Sequence, residues 1–309
     1  MTSILILGKN GQVGHELCGC LAGLGTISAL GRAELDLSDL DAIRSTIRRL
    51  RPQLIVNAAA FTAVDEAETS PEQAMVINRD APRILAEETK KLQSTLIHYS
   101  TDYVFDGAQS TPYTETNAAN PINAYGASKL AGERAIVASG AMHLILRTSW
   151  VYSDRGKNFV TMISNLARMG KELKVVNDQT GSPTWARTIA RTTRLIIEKC
   201  GGSLADKQGT YHLAAAGETT RHELAAKIVE LLARDPNSDG VTPANVKAVS
   251  SAEFPTVAAR PKYSVLSSAK LKTLFGIEMP RWDADLERFF SQAPGSRLNS
   301  AQFNKFRDT

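Results

Sequence analysis

The chain has 309 residues, 43% of them hydrophobic and 22% charged, the make-up of a globular protein whose length fits one large α/β domain or two lobes. No apolar run approaches the roughly 20 residues that cross a bilayer, and residues 1–8 lack the basic and long apolar regions of a secretory signal, so a cytoplasmic protein without a membrane is expected. A net charge of +4 with scattered basic residues argues against a nucleic-acid partner and suits an anionic small molecule, while Cys18, Cys20 and Cys200 are too few and too unevenly placed for a disulfide framework or a zinc set.

Residues 4–7 read as a strand that ends in Gly8-Lys-Asn-Gly11-Gln-Val-Gly14, with an amphipathic helix expected over 13–24. In a strand, glycine turn and helix, backbone N–H groups at the helix N-terminus can face a pyrophosphate. Gly8, Gly11, Gln12, Val13 and Gly14 are therefore candidate dinucleotide-binding residues. Gly14 would let the helix pack close to the strand. The spacing is G-x-x-G-x-x-G, not the commoner G-x-G-x-x-G. A second strand over 26–30 leads to Arg32, where an NAD-selective site usually carries an acid on the ribose. An arginine there can pair with a 2′-phosphate, which leans toward NADPH over NADH. Asp36 and Leu37 follow, where they could border the adenine.

Ser38 is a plausible cap for a helix over 40–50. A buried parallel strand is expected over 54–60, with Ala58, Ala59 and Ala60 at its C-terminal end. Small side chains there leave room for a flat cofactor or simply pack under a helix. Thr62 follows in the loop. Helical sequence runs over 71–92, with a break expected at Pro82. The strand over 95–101 holds His98, read as a packing residue, and ends at Thr101. A hydroxyl at that end can bond a substrate oxygen or cap a turn. The loop over 108–121 is rich in turn formers and could close over a ligand.

Asn123-Ala-Tyr-Gly-Ala-Ser-Lys-Leu-Ala-Gly-Glu-Arg134 sets Tyr125 and Lys129 four residues apart, hence on one face of a helix. A cation near a phenol lowers its pKa and fits it to exchange a proton with a carbonyl or hydroxyl oxygen. A strand over 142–149 follows. The alternation gives an α/β, doubly wound parallel sheet.

Five segments then combine in order: the glycine turn, Asn57-Ala-Ala-Ala-Phe-Thr-Ala-Val-Asp65, Tyr99-Ser-Thr-Asp-Tyr-Val-Phe-Asp106, Tyr125-Gly-Ala-Ser-Lys-Leu-Ala-Gly-Glu133 and Arg147-Thr-Ser-Trp-Val-Tyr152. Together they resemble the dTDP-4-dehydrorhamnose reductase family, an extended branch of the short-chain dehydrogenases/reductases, over most of the chain. The resemblance implies a Rossmann-type NAD(P)-binding domain over 1–152 and a smaller α/β substrate-binding lobe mainly over 153–292, some segments of which return to the first domain. It implies hydride reduction of the C4 ketone of dTDP-4-dehydro-L-rhamnose. Tyr125 would be the proton donor, Lys129 its partner on the nicotinamide ribose, and Thr101 a second bond to the ketone oxygen. Asp102, Tyr103, Trp150 and Arg260 would meet the nucleotide sugar, Trp150 by stacking on it or by plugging the core between lobes. Some family members are described with Mg²⁺, for which Glu16 is the candidate by position, but the sequence itself shows no metal-ligand set. A homodimer is compatible with the resemblance. A reductase or epimerase of another nucleotide sugar, or a non-catalytic regulatory subunit, remains the alternative.

In the second part, helices are expected over 158–169, 186–200, 221–233 and 267–275, and strands over 172–177 and 210–214. The tail from residue 293 is polar.

Overall fold

The computed structural model describes residues 2–200, 205–234 and 246–292; the Gly-Gly linker at 201–202 and the polar tail from 293 lie outside the described residues. The first half runs β1 (Thr2–Leu7), α1 (Gln12–Cys20), β2 (Gly25–Leu30), α2 (Leu40–Leu50), β3 (Leu54–Asn57), α3 (Val64–Thr69), α4 (Pro71–Met75), α5 (Ala81–Leu92), β4 (Thr95–Thr101), α6 (Ala124–Ser139) and β5 (Met142–Thr148). The second runs β6 (Val151–Tyr152), α7 (Phe159–Arg168), β7 (Leu173–Val176), β8 (Thr180–Gly181), β9 (Thr184–Trp185), α8 (Ala186–Cys200), β10 (Gly209–His212), β11 (Thr219–Thr220), α9 (Arg221–Ala233), β12 (Val246–Val249), α10 (Ala269–Phe275) and α11 (Trp282–Gln292).

Six strands form one parallel sheet in the order β10-β5-β4-β3-β1-β2. Alternate residues of β1 feed opposite faces. Ile4 and Ile6 join a core with Leu17, Ile189 and Phe275, whereas Leu5 and Leu7 join another with Ile43, Ile47 and Leu85. Both faces are covered, as a parallel sheet requires. The chain leaves β1 toward β2 on one side and reaches β3 on the other. Ligands of open α/β sheets bind in the crevice beyond the strand ends at such a reversal.

A separate core gathers Tyr152, Val160 and Ile163 with Leu173, Trp185, Leu224, Ile228, Leu286 and Phe289. This is the smaller lobe. Its chain segments are not contiguous, because α8, β10 and α10 pack into the first lobe between its own elements.

Several local expectations change. Asp39, not Ser38, caps α2, accepting from Ala42 N at 2.9 Å, while Ser38 instead bonds Asp36. β3 stops at Asn57, so residues 58–60 are loop. The helix over 71–92 is not broken at Pro82. It widens into a π-turn over Val76–Asp80, where Pro82 has no N–H to give the Asn78 carbonyl four residues back. The loop over 108–121 is fastened at its middle. Tyr113 is buried, stacks on Phe105 at 4.2 Å and donates its N–H to Val265 O at 2.8 Å.

Glu88 of α5 clamps α2. Its carboxylate accepts from Arg48 at 2.8 and 2.9 Å, from Arg44 at 3.2 Å and from Lys91 at 2.7 Å. The Arg48 hydrogen bond leads the causes that pull its pKa from 4.5 to about 2. A depressed carboxyl stabilises the fold above its unfolded pKa and loses that effect as pH falls through its folded value. Glu88→Gln is therefore expected to cost about 1–2 kcal/mol at neutral pH, allowing for solvent screening of the exposed partners. In urea titrations the gap from wild type should shrink below pH 4.5 and close near pH 2.

Candidate active site

The glycine turn is shaped by backbone contacts. Gly8 has φ +85°, and the N–H groups of Gly8 and Lys9 both donate to Leu30 O, at 2.8 and 3.2 Å. The Gly11 N–H returns to Gly8 O at 2.9 Å. A Cβ on Gly14 would stand 2.0 Å from Gly8 O, so α1 packs directly on the turn. The result is a tight turn at a helix N-terminus, with glycines where its backbone segments meet, which fits a pyrophosphate. Val13 packs into the first core. Gln12 ties the turn to the second lobe, its Oε1 accepting from Ser153 Oγ at 3.0 Å and Asn158 Nδ2 at 3.1 Å. Gly14→Ala is expected to cost about 1–3 kcal/mol by overpacking and to weaken dinucleotide binding. Thermal melts with and without NADPH check both effects.

At the end of β2 the exposed Arg32 donates to Asp36 at 3.2 Å. Asp36 also accepts from the N–H and hydroxyl of Ser38, and the Ser38 N–H is the main reason its carboxyl lies below the usual range. Glu34, which the sequence reading passed over, accepts from Lys9 Nζ at 2.6 Å and Gly31 N at 2.8 Å. Two cations, Lys9 and Arg32, thus stand paired with two carboxylates, Glu34 and Asp36, at the end of β2. The Leu37 side chain turns into the core beside Leu35 and Ile43, so the residue's free surface at this edge is its backbone.

Ala58, Ala59 and Ala60 line the loop opposite. A Cβ on Gly8 would come within 2.9 Å of Ala59 N, so the two loops touch through their backbones. Thr62 is exposed beyond them. Asn78, presented by the π-turn, accepts from Phe61 N at 2.9 Å and donates to Phe61 O at 3.0 Å and Ser128 Oγ at 2.9 Å. It joins this loop to α6.

Asn123 caps α6, accepting from Gly126 N at 2.7 Å. A Cβ on Gly126 would lie 2.1 Å from Tyr103 O, which seats the helix on the end of β4. This contact brings Tyr125 close to Thr101, whose hydroxyl is near enough to favour the ionised phenol. Thr101 Oγ1 donates to Asp102 Oδ1 at 3.1 Å and accepts from Tyr103 N at 3.1 Å. Asp102 is buried and also accepts from Ser149 Oγ at 3.1 Å; burial pushes its carboxyl up. Its place is therefore behind Thr101, holding that hydroxyl.

Lys129 does share the helix face with Tyr125, but its amine turns toward β4. Nζ donates to Tyr99 O at 2.6 Å and lies 3.1 Å from His98 Nε2. Burial pushes the Tyr125 phenol above its ordinary pKa, opposed by the nearby Thr101 hydroxyl. The lowering by Lys129 expected from the spacing is absent in the protein by itself, because the amine is spent on β4.

Tyr103 meets Tyr125 edge-on, ring centroids 5.9 Å apart. Trp150, at φ +45°, carries the Arg221 guanidinium 3.4 Å from its ring centroid. Gly181 leaves room for the indole, since a Cβ there would come within 2.4 Å of Cε2. The ring is thus packed by protein groups where the lobes meet. Arg260 donates to Asp65 Oδ2 at 2.7 Å and to Ala258 O at 2.9 Å. Arg221, the first residue of α9, also lies close enough to Tyr103 and Arg260 for its charge to be felt by both. Sequence reasoning missed Arg221. The Thr220–Glu223 capping box that starts its helix was the available signal.

The comparisons with known proteins agree with this geometry. A family model described as RmlD substrate binding domain matches residues 1–294. A dTDP-4-dehydrorhamnose reductase of Burkholderia thailandensis is 43% identical over 284 residues, 90% of this chain and 95% of the relative. One of Escherichia coli is 40% identical over 296 residues, 94% and 97% of the two chains. The chain belongs to the dTDP-4-dehydrorhamnose reductase family. Among solved structures, a dTDP-4-dehydrorhamnose reductase of Bacillus anthracis in complex with NADP superposes with a TM-score of 0.87 at 34% identity, covering 95% of this chain and 100% of that one.

Mg²⁺ chemistry at Glu16 does not fit this member of the reductase family. Both Glu16 carboxylate oxygens accept from Arg187, at 3.0 and 3.3 Å, and Arg187 reaches on to Gln292 Oε1 at 3.1 Å. Among the described residues no group of three or more His, Cys, Asp or Glu could hold a metal. A guanidinium satisfies the carboxylate where a cation would have to sit. Nor is any helix of the described residues long and apolar enough to cross a membrane.

Proposed function

We infer that this chain reduces the C4 ketone of dTDP-4-dehydro-L-rhamnose to dTDP-L-rhamnose, using NADPH or NADH. The observation that carries the reading is the approach of Tyr125 to Thr101 at the end of β4, with Lys129 one turn along α6, in a sheet whose β1 ends in the glycine cradle. When bound, the nicotinamide supplies a hydride. Tyr125 gives its proton to the oxygen of the reduced ketone. Its raised pKa keeps it protonated at neutral pH, the state a donor requires. Thr101 stabilises negative charge on the same oxygen by turning its O–H from Asp102 to the ketone. Gly8, Gly11 and Gly14 hold the pyrophosphate, and Lys9 and Arg32 favour a 2′-phosphate. Tyr103 walls the sugar, and Arg260 with Arg221 faces the nucleotide diphosphate.

The product would be an activated sugar for polysaccharide synthesis. We place the enzyme in the cytoplasm. The test is loss of NADPH absorbance with dTDP-4-dehydro-L-rhamnose, with dTDP-L-rhamnose identified by NMR. No consumption by a folded protein that binds NADPH would sink the substrate assignment.

A further inference from the structure

Lys129 is only 2% exposed, and the two groups that reach its far side, Asn57 and His98, are fully buried. Buried polar groups of this kind are hydrogen-bonded, so the position of every hydrogen is constrained. His98 lies between the other two. Its Nε2 is 3.1 Å from Lys129 Nζ, and its Nδ1 is 3.1 Å from Asn57 Nδ2.

Ala59 fixes the sense of this chain of bonds. Its backbone N–H donates to Asn57 Oδ1 at 3.1 Å. A backbone N–H cannot accept, so the carboxamide oxygen must face Ala59 and the NH₂ must face the imidazole. The NH₂ can only donate, so His98 Nδ1 accepts. A neutral imidazole that accepts at Nδ1 carries its proton on Nε2. An imidazolium would set N–H against NH₂. Burial, followed by the nearby lysine, also drives His98 well below its ordinary pKa.

The Nε2–H then points at Lys129. An ammonium has three N–H groups and no lone pair, so it would oppose donor to donor. A neutral amine accepts from Nε2–H and still donates to Tyr99 O. Burial already pulls Lys129 down to about 8, against the upward pull of Glu133. Other ionisable groups near the amine are few. Glu133, one turn on in α6, is engaged by Arg147 of β5, and Tyr125, one turn back, lies beside Thr101.

We propose that Asn57 and His98 form a tautomer lock that holds Lys129 as a neutral amine in the cofactor-free protein. His98 is then a positioning residue that sets the protonation state of the lysine, and Asn57 sets the tautomer of His98. The importance of the lock rests on the role given to Lys129 above, but its existence does not.

The experiment uses the full chain labelled with ¹⁵N in histidine and lysine. The expected His98 spectrum has a protonated Nε2 and a bare Nδ1. The opposite tautomer would overturn the proposal. Lys129 Nζ is expected to titrate below pH 8, and an ordinary lysine titration would overturn it as well. Asn57→Asp keeps an oxygen for Ala59 N–H and offers a second to a protonated Nδ1, so Nε2 becomes an acceptor. His98→Gln presents an amide oxygen to Nζ without changing charge. Both variants should raise the Lys129 midpoint by at least about one unit, a tenfold gain in proton affinity. A midpoint that stays put in both folded variants would refute the lock. These readouts need neither substrate nor turnover, so failure of the assigned reaction would leave them interpretable.

Discussion

Tyr125→Phe is expected to lower kcat for ketone reduction by about 10²–10⁴ while NADPH binding is little changed. The loss is confined to one atom. Phenylalanine keeps the ring that meets Tyr103 edge-on, and the cradle for the dinucleotide is built by residues of β1 and α1. What disappears is the hydroxyl beside Thr101. Thr101 cannot simply replace it, because an alcohol gives up its proton less readily than a phenol. Its O–H is also engaged by a buried carboxylate. Steady-state kinetics with cofactor titration separate the effects. A loss below about tenfold would place the proton donor elsewhere, whereas loss of cofactor binding would mean that the ring had moved.

Arg147→Ala is expected to destabilise the protein by about 3–5 kcal/mol. Arg147 of β5 grips Glu133 of α6 with both arms of its guanidinium, at 2.9 and 2.6 Å, and both side chains are buried. Removing the arginine leaves a carboxylate out of reach of water, and that is where most of the cost lies. The guanidinium also covers the Phe105 ring at 5.1 Å, so some packing is lost with it. The double change Glu133→Leu with Arg147→Met removes the charge problem and should recover most of the stability in urea titrations. A double variant no better than Arg147→Ala would show that packing, not the uncompensated charge, dominates. The pair lies one turn beyond Lys129, so the double variant should lower the lysine's proton affinity by removing the pull of Glu133.

What was legible in the sequence was mostly local. The Gly8–Gly14 turn, the Tyr125–Lys129 face and the alternating strands each depend on residues within a few positions of one another, and chain geometry fixes those relations. The Asp39 cap was nearly readable, since Ser38 and Asp39 are both capping residues and only the reach to Ala42 N separates them. The π-turn was harder, because Pro82 signals a defect but not whether the helix breaks or widens. The capping box marked where the helix of Arg221 starts but not what that side chain meets, and the Asn57–His98–Lys129 chain was not readable at all. Their partners lie many tens of residues away, and His98, inside a strand of apolar neighbours, has the same pattern as any packed core residue. Position after β2 suggested the adenine for Leu37, but not that its apolar side chain packs beside Ile43, where it is more stable.

The order in which the chain visits its two lobes bears on how the protein is made. β10 forms an outer strand of the first sheet on β5, and Leu271 and Phe275 of α10 fill part of that sheet's core, yet both emerge from the ribosome after much of the second lobe. A nascent chain ending near residue 152 therefore has an uncovered β5 edge and an incomplete core. The cofactor half cannot mature first and wait for the other. Long-range pairing of this kind slows folding and leaves strand edges open to wrong partners. Truncation from the C-terminus should consequently damage the lobe encoded first.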